Sequence, residues 1–103
     1  MKPGGRLQAA IEVLAEIEQR HRPASQALAD WGKAHRFAGS GDRAAIGNLV
    51  YDALRQRASI AWRMGDDAPR ALGLGVMGFL WGETVASLSE ILAADKHAPD
   101  ALS

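Results

Sequence analysis

The chain contains no cysteine. That excludes a disulfide framework, a thiolate zinc site and a cysteine nucleophile within these residues. It also lacks any apolar run approaching the roughly 18–20 residues needed to span a bilayer. The opening MKPGGRLQAA carries charge but no continuous apolar stretch, which argues against a secretory signal. A cytoplasmic setting fits these absences. No segment shows the alternating pattern of a half-buried strand. Net charge is missing too, because twelve basic residues balance twelve acidic ones.

What is present is enough apolar material for one core. The 103 residues are 48% hydrophobic, which suits a single packed domain. The charge is unevenly spread. Nine basic side chains lie between Arg20 and Arg70 against five acidic ones, an excess of four, so the middle of the chain is basic. Nine of the twelve basic residues are arginine, the planar, forked partner suited to phosphate. High-GC codon usage is an equally good source of that ratio.

Five helical segments follow from the apolar spacing, giving an all-α fold: a compact helical bundle with antiparallel neighbours. The first spans about 4–21, with Leu7, Ala10, Ile11, Leu14 and Ile17 inward and Glu12, Glu16 and Arg20 outward. Arg22-Pro23 ends it. The second spans about 23–37, with Ala24, Leu28, Trp31 and Phe37 inward. After the Gly39-Ser40-Gly41 break, Ser40 reads as an N-cap and Asp42 complements the helix dipole. The third helix is expected over about 42–64, burying Ile46, Leu49, Val50, Ala53, Leu54, Ile60, Ala61 and Met64. The fourth, PRALGLGVMGFLW over 69–81, is apolar nearly all round and reads as the central helix. Its glycines imply close approach of a neighbour. The fifth spans about 83–94. Residues 1–95 thus form one helical domain, and 96–103 read as the start of a linker to a further C-terminal domain.

Catalytic sets are not apparent. His21, His35 and His97 have no zinc-ligand spacing. GLGVMG has GxGxxG spacing, but it sits inside an apolar helix with no strand before it, so it does not read as a nucleotide loop. Arg57 is the misfit, because a helical wheel puts it in the middle of the apolar arc of the third helix. A buried, unpaired guanidinium is costly. Either its stem snorkels out, or a carboxylate pairs with it, or the helix breaks near 57–59.

The segment GSGDRAAIGNLVYDALRQR, residues 39–57, resembles the GSxDR…LVY…LR segment of the NusB-like domain that opens the bacterial RsmB/Sun-type ribosomal RNA 5-methylcytosine methyltransferases. The matching positions are Gly39, Ser40, Asp42, Arg43, Ile46, Leu49, Val50, Tyr51, Leu54 and Arg55. It departs from that pattern at Ala45, where a bulkier residue is common. The resemblance implies an all-helical domain that binds or orients ribosomal RNA and is non-catalytic alone. In such enzymes a C-terminal methyltransferase domain follows, binds S-adenosylmethionine and supplies the cysteine that attacks the cytosine ring. Both partners, the RNA and that catalytic domain, are therefore expectations. Lys33, Arg36, Ser40 and Arg43 are the candidate phosphate contacts at the start of the third helix, extended by Arg55 and Arg63. Arg43 and Arg55 have a second reading, as ties to neighbouring carboxylates. Two rival readings stand beside this one. The first is a protein-interaction bundle that docks on its catalytic domain or dimerises. The second is a free-standing NusB-type antitermination factor.

Overall fold

Pro3 opens the first helix, where its fixed φ suits the first turn and no intrahelical donor is needed. The computed structural model describes residues 1–102. Helix α1 runs Pro3–Arg20. Leu7, Ala10 and Leu14 are buried, while Ile11 and Ile17 pack at the edge of the core. His21 ends α1 in the left-handed region at φ 52°, a position more often given to glycine. Pro23 is then the N-cap of α2, Ala24–Ala34.

Helix α2 stops three residues short of the expected end. His35 leaves helical geometry at φ −127°, ψ 63°. Its Nδ1 is hydrogen-bonded to the Trp31 carbonyl at 2.8 Å, and its ring stacks on Trp31 with centroids 4.2 Å apart. The chain turns there, with Ala38 N–H donating to the His35 carbonyl at 3.0 Å. The turn carries Phe37 outward, 73% exposed, which corrects its inward placement.

Helix α3 spans Ser40–Arg55, and its N-cap is Gly39, not Ser40. Asp42 performs the cap from inside the first turn, its Oδ2 accepting the Gly39 N–H at 3.2 Å. The helix expected to reach residue 64 is two helices. Gln56, at φ −110° and ψ 20°, ends α3 and begins α4, Arg57–Met64. Its N–H donates to the Asp52 carbonyl at 3.1 Å, and its carbonyl accepts from Ile60 N–H at 2.9 Å. The break resolves the Arg57 misfit. The guanidinium leaves the core, 43% exposed, and pairs with Glu18 at 2.9 Å and Asp67 at 3.8 Å. Break and pairing act together, while Ile60 stays buried.

Helix α5, Pro69–Gly75, runs on into a π-helical segment, Val76–Leu80, closed by Trp81 N–H on the Val76 carbonyl at 3.0 Å. Residues 71–77 are buried, as a central helix requires, but Phe79, Leu80 and Trp81 emerge at the far end. Close approach accounts for two of the three glycines. A Cβ at Gly73 would lie 2.8 Å from Leu7 Cδ1, and one at Gly75 would overlap the Ile60 side chain. Gly78 has only ordinary contacts, so packing does not account for it. Helix α6, Val85–Ala93, begins with a reciprocal cap in which Thr84 Oγ1 accepts the Ser87 N–H at 3.0 Å and Ser87 Oγ accepts the Thr84 N–H at 2.8 Å.

The fold is therefore an all-α bundle of six α-helices and one π-helical segment among the described residues. Helix α1 is its axis, packed on α3 and α5, with α2 beside it and α4 against α5. The radius of gyration, 12.7 Å, matches the value of about 12.8 Å for a compact chain of this length. Residues 95–102 run back across the start of α1. Ala98 meets Gly4, Pro99 is buried, and Arg70 donates to the carbonyls of Asp100 at 2.8 Å and Ala101 at 3.3 Å. Ser103, the end of the expected linker, lies outside the described residues. Among the described residues no helix is long and apolar enough to cross a membrane.

Candidate nucleic-acid interface

The six candidate contacts separate into three environments. Lys33 and Arg36 come from the last turn of α2 and the turn after it, and Arg43 comes from the first turn of α3. These three side chains line one open groove, floored by Leu28, Gly32 and Ala38. Gly32 matters to its shape, because a Cβ there would lie 3.4 Å from Arg43 Cδ, so the arginine stem lies along the bare backbone. All three cations are exposed, and none makes an ion pair among the described residues. Three adjacent cations without protein partners form a region of positive potential open to solvent.

Ser40 sits at the start of α3, exposed, but does not line this groove. The helix end itself is already served by an anion. Asp42 accepts from Arg6 Nε at 2.9 Å, from the amino terminus of Met1 at 3.4 Å and from Gly39 N–H at 3.2 Å. The hydrogen bond from Arg6 is the main reason its carboxyl is held below its ordinary value, with the Gly39 N–H and the terminal amine adding to it. The positive charge exposed at this place is therefore that of Lys33, Arg36 and Arg43, not the dipole of α3.

Arg55 and Arg63 lie elsewhere. Arg55 pairs with Asp52 one turn earlier, and Asp52 also accepts the Trp81 indole N–H at 2.9 Å. For Arg55 the tie to a carboxylate is what the structure contains. For Arg43 that tie is absent among the described residues. Arg63 lies over the Phe79 ring, 3.8 Å from its centroid, a cation–π contact. Neither is part of the α2–α3 groove.

The wall between α1 and α2 is held by a second ion cluster. Arg22 pairs with Asp30 and with Glu16 at 3.5 Å. The Arg22 hydrogen bond lowers the Asp30 pKa, and Lys33 contributes to the same shift from a greater distance. Sequence reasoning missed the aromatic group next to the groove. Trp31 stacks on His35, and Phe37 meets the His35 ring edge-on at 5.9 Å. The i, i+4 spacing of Trp31 and His35 is the signal that could have revealed it. The Trp31 Nε1–H is buried and finds no acceptor among the described residues. No protein-family model, curated protein or solved structure matches the chain.

Proposed function

We propose that this chain is an RNA-binding, RNA-orienting helical domain of the NusB-like kind, acting as the non-catalytic module of an S-adenosylmethionine-dependent ribosomal RNA cytosine-C5 methyltransferase in the cytoplasm. The observation that carries the RNA part is the α2–α3 groove, where Lys33, Arg36 and Arg43 line one surface without an ion pair among the described residues. RNA affinity comes largely from neutralised phosphates, and three unpaired cations offer that chemistry. The methyltransferase part rests on the resemblance of residues 39–57. S-adenosylmethionine would belong to the catalytic domain. The glycines of GLGVMG do not fit a cofactor loop, since Gly73 and Gly75 are filled against by Leu7 and Ile60. No step of methyl transfer is assigned to these residues.

The test is binding of fluorescently labelled single-stranded and hairpin RNA to the chain, beside a variant carrying Lys33→Glu, Arg36→Glu and Arg43→Glu together. The reading expects micromolar or weaker binding that falls at least tenfold in the variant, with the helical circular dichroism retained. Equal binding by both proteins overturns it. One observation favours the rival, a bundle that docks on its own catalytic domain or a second copy. Trp62 is 85% exposed, and Phe79, Leu80 and Trp81 stand partly exposed at the end of the π-helical segment. Sedimentation of the chain at high concentration tests the rival's dimeric form, which expects dimers that Trp62→Ser and Trp81→Ser disrupt.

A further inference from the structure

The C-terminal turn of α2 divides two concavities. Lys33 and Arg36 face the basic groove, whereas Trp31, His35 and Phe37 line a cleft of about 550 Å³ against the N-terminal half of α1. That volume lies in the range of small-ligand sites, roughly 300–1,000 Å³. The cleft also carries Glu12, Asp95 and His97. Asp95 accepts the His97 backbone N–H at 2.9 Å, and this bond is the main reason its carboxyl lies below its ordinary value and stays charged. Glu12 is exposed on α1. Trp31 lends its ring to the lining, while its indole N–H is buried and finds no acceptor among the described residues.

We infer that this cleft receives an unstacked, amino-bearing nucleobase from the strand whose phosphates lie in the neighbouring groove, an inference that rests on the RNA-binding reading. Single-stranded RNA is recognised by splaying bases onto aromatic side chains and hydrogen-bonding their edges. Phe37 offers its exposed ring as the stacking surface. The Trp31 ring lines the same cleft, so a base seated there lies within range to shift its indole resonance. The exposed carboxylate of Glu12 is a pure acceptor, matched by an exocyclic amino group, whereas Asp95 is already engaged by the His97 N–H and lies against Gly5. Cytosine, adenine and guanine carry that group and uracil does not, so the cleft discriminates against uracil. Adjacency links the two sites, because Arg36 lines the groove and Phe37, the next residue, lines the cleft.

The experiment is an NMR titration of the full chain with cytidine and, separately, uridine, following the Trp31 indole N–H resonance assigned with Trp31→Phe. Cytidine should move that resonance saturably, and uridine should bind at least about threefold more weakly. Phe37→Leu should weaken cytidine binding about fivefold or more, and Glu12→Gln should narrow the gap between cytidine and uridine. An unmoved Trp31 indole at millimolar cytidine, or a Phe37→Leu variant of unchanged affinity, overturns the inference whatever RNA does. A second titration uses an abasic sugar–phosphate strand. It should bind through Lys33, Arg36 and Arg43 while leaving the Trp31 indole unmoved, and a Trp31 shift as large as with a base-bearing strand also overturns the inference. Failure of the abasic strand to bind tells against the phosphate groove, and the nucleoside titration still decides the cleft.

Discussion

The seams where α1 meets its neighbours and the turn between α2 and α3 use arginine in opposite ways. Along the seams the guanidinium groups have partners. Arg6 holds Asp42 and joins the starts of α1 and α3, and Arg57 reaches Glu18 and joins α4 to the end of α1. Arg22 ties α1 to α2 through Glu16 and Asp30 in the same manner. At the α2–α3 turn Lys33, Arg36 and Arg43 have none among the described residues, and Phe37 stands in solvent beside them. A cluster of like charges without counter-charges repels itself and adds nothing to stability. The basic middle of the chain is therefore mixed: Arg22 and Arg57 tie helices, Arg20 and Arg55 pair within their own helices, Arg63 lies over Phe79, Arg70 donates to backbone carbonyls, and Lys33, Arg36 and Arg43 are left open. The open three are the candidates for a partner.

The comparison is sharpened by changes that run from the closed region to the open one. The largest effect is expected at Gly75, where an added Cβ overlaps Ile60. Gly75→Ala should cost about 1–3 kcal/mol in urea unfolding, against the helix propensity gained. Gly47 in α3 has nothing within 4 Å of a Cβ, so Gly47→Ala should stabilise by roughly 0.5–1 kcal/mol. Equal effects at the two sites would break the packing account of α5.

Asp42→Asn should lower the melting temperature near neutral pH, because Asp42 answers Arg6, the amino terminus and the Gly39 N–H at once. The native carboxyl is depressed below its ordinary value of 3.8, chiefly by Arg6. Its contribution is therefore fully present above that value and is lost as pH falls through the lower native value. Melting curves should show wild type and Asp42→Asn converging in strong acid. A gap that widens on acidification contradicts this. Arg57→Gln should cost at most about 1 kcal/mol, the range of a surface pair, and a much larger loss would mean the guanidinium is buried after all. The smallest effect on stability belongs to the open region. Arg36→Gln should leave unfolding within about 0.5 kcal/mol of wild type.

Much of the fold was legible because helical periodicity survives in short segments. Leu7, Leu14, Ile46, Val50 and Ile60 are buried where the spacing puts them. Three features were not legible, each for a local reason. The break at Gln56 carries no glycine or proline, so only the impossible position of Arg57 on a continuous wheel pointed to it. The early end of α2 depends on the His35 side chain, whose Nδ1 lies 2.8 Å from the Trp31 carbonyl one turn back, a local side-chain bond that propensity does not encode. Residues 95–102 lack periodicity because they cover α1 as a turn and irregular chain, Ala98 N–H closing on the Asp95 carbonyl at 3.0 Å and Ala98 fitted over Gly4 and not along a helical stripe. At the candidate site the residue types were legible and their grouping was not. Lys33, Arg36 and Arg43 meet because the 35–39 turn folds α3 back beside α2. Arg55 and Arg63 lie along the chain from them but face Asp52 and Phe79.

The central claim is that the open region meets phosphate, and the salt dependence of RNA affinity tests it most directly. If three cations displace counterions from a single strand, the logarithm of the association constant should fall against the logarithm of salt concentration with a slope of about −2. Replacing Lys33, Arg36 and Arg43 by glutamine should flatten that slope toward zero, while replacing the seam residue Arg57 should leave it unchanged. A wild-type affinity indifferent to salt, or a slope that survives loss of all three groove cations, would contradict the account.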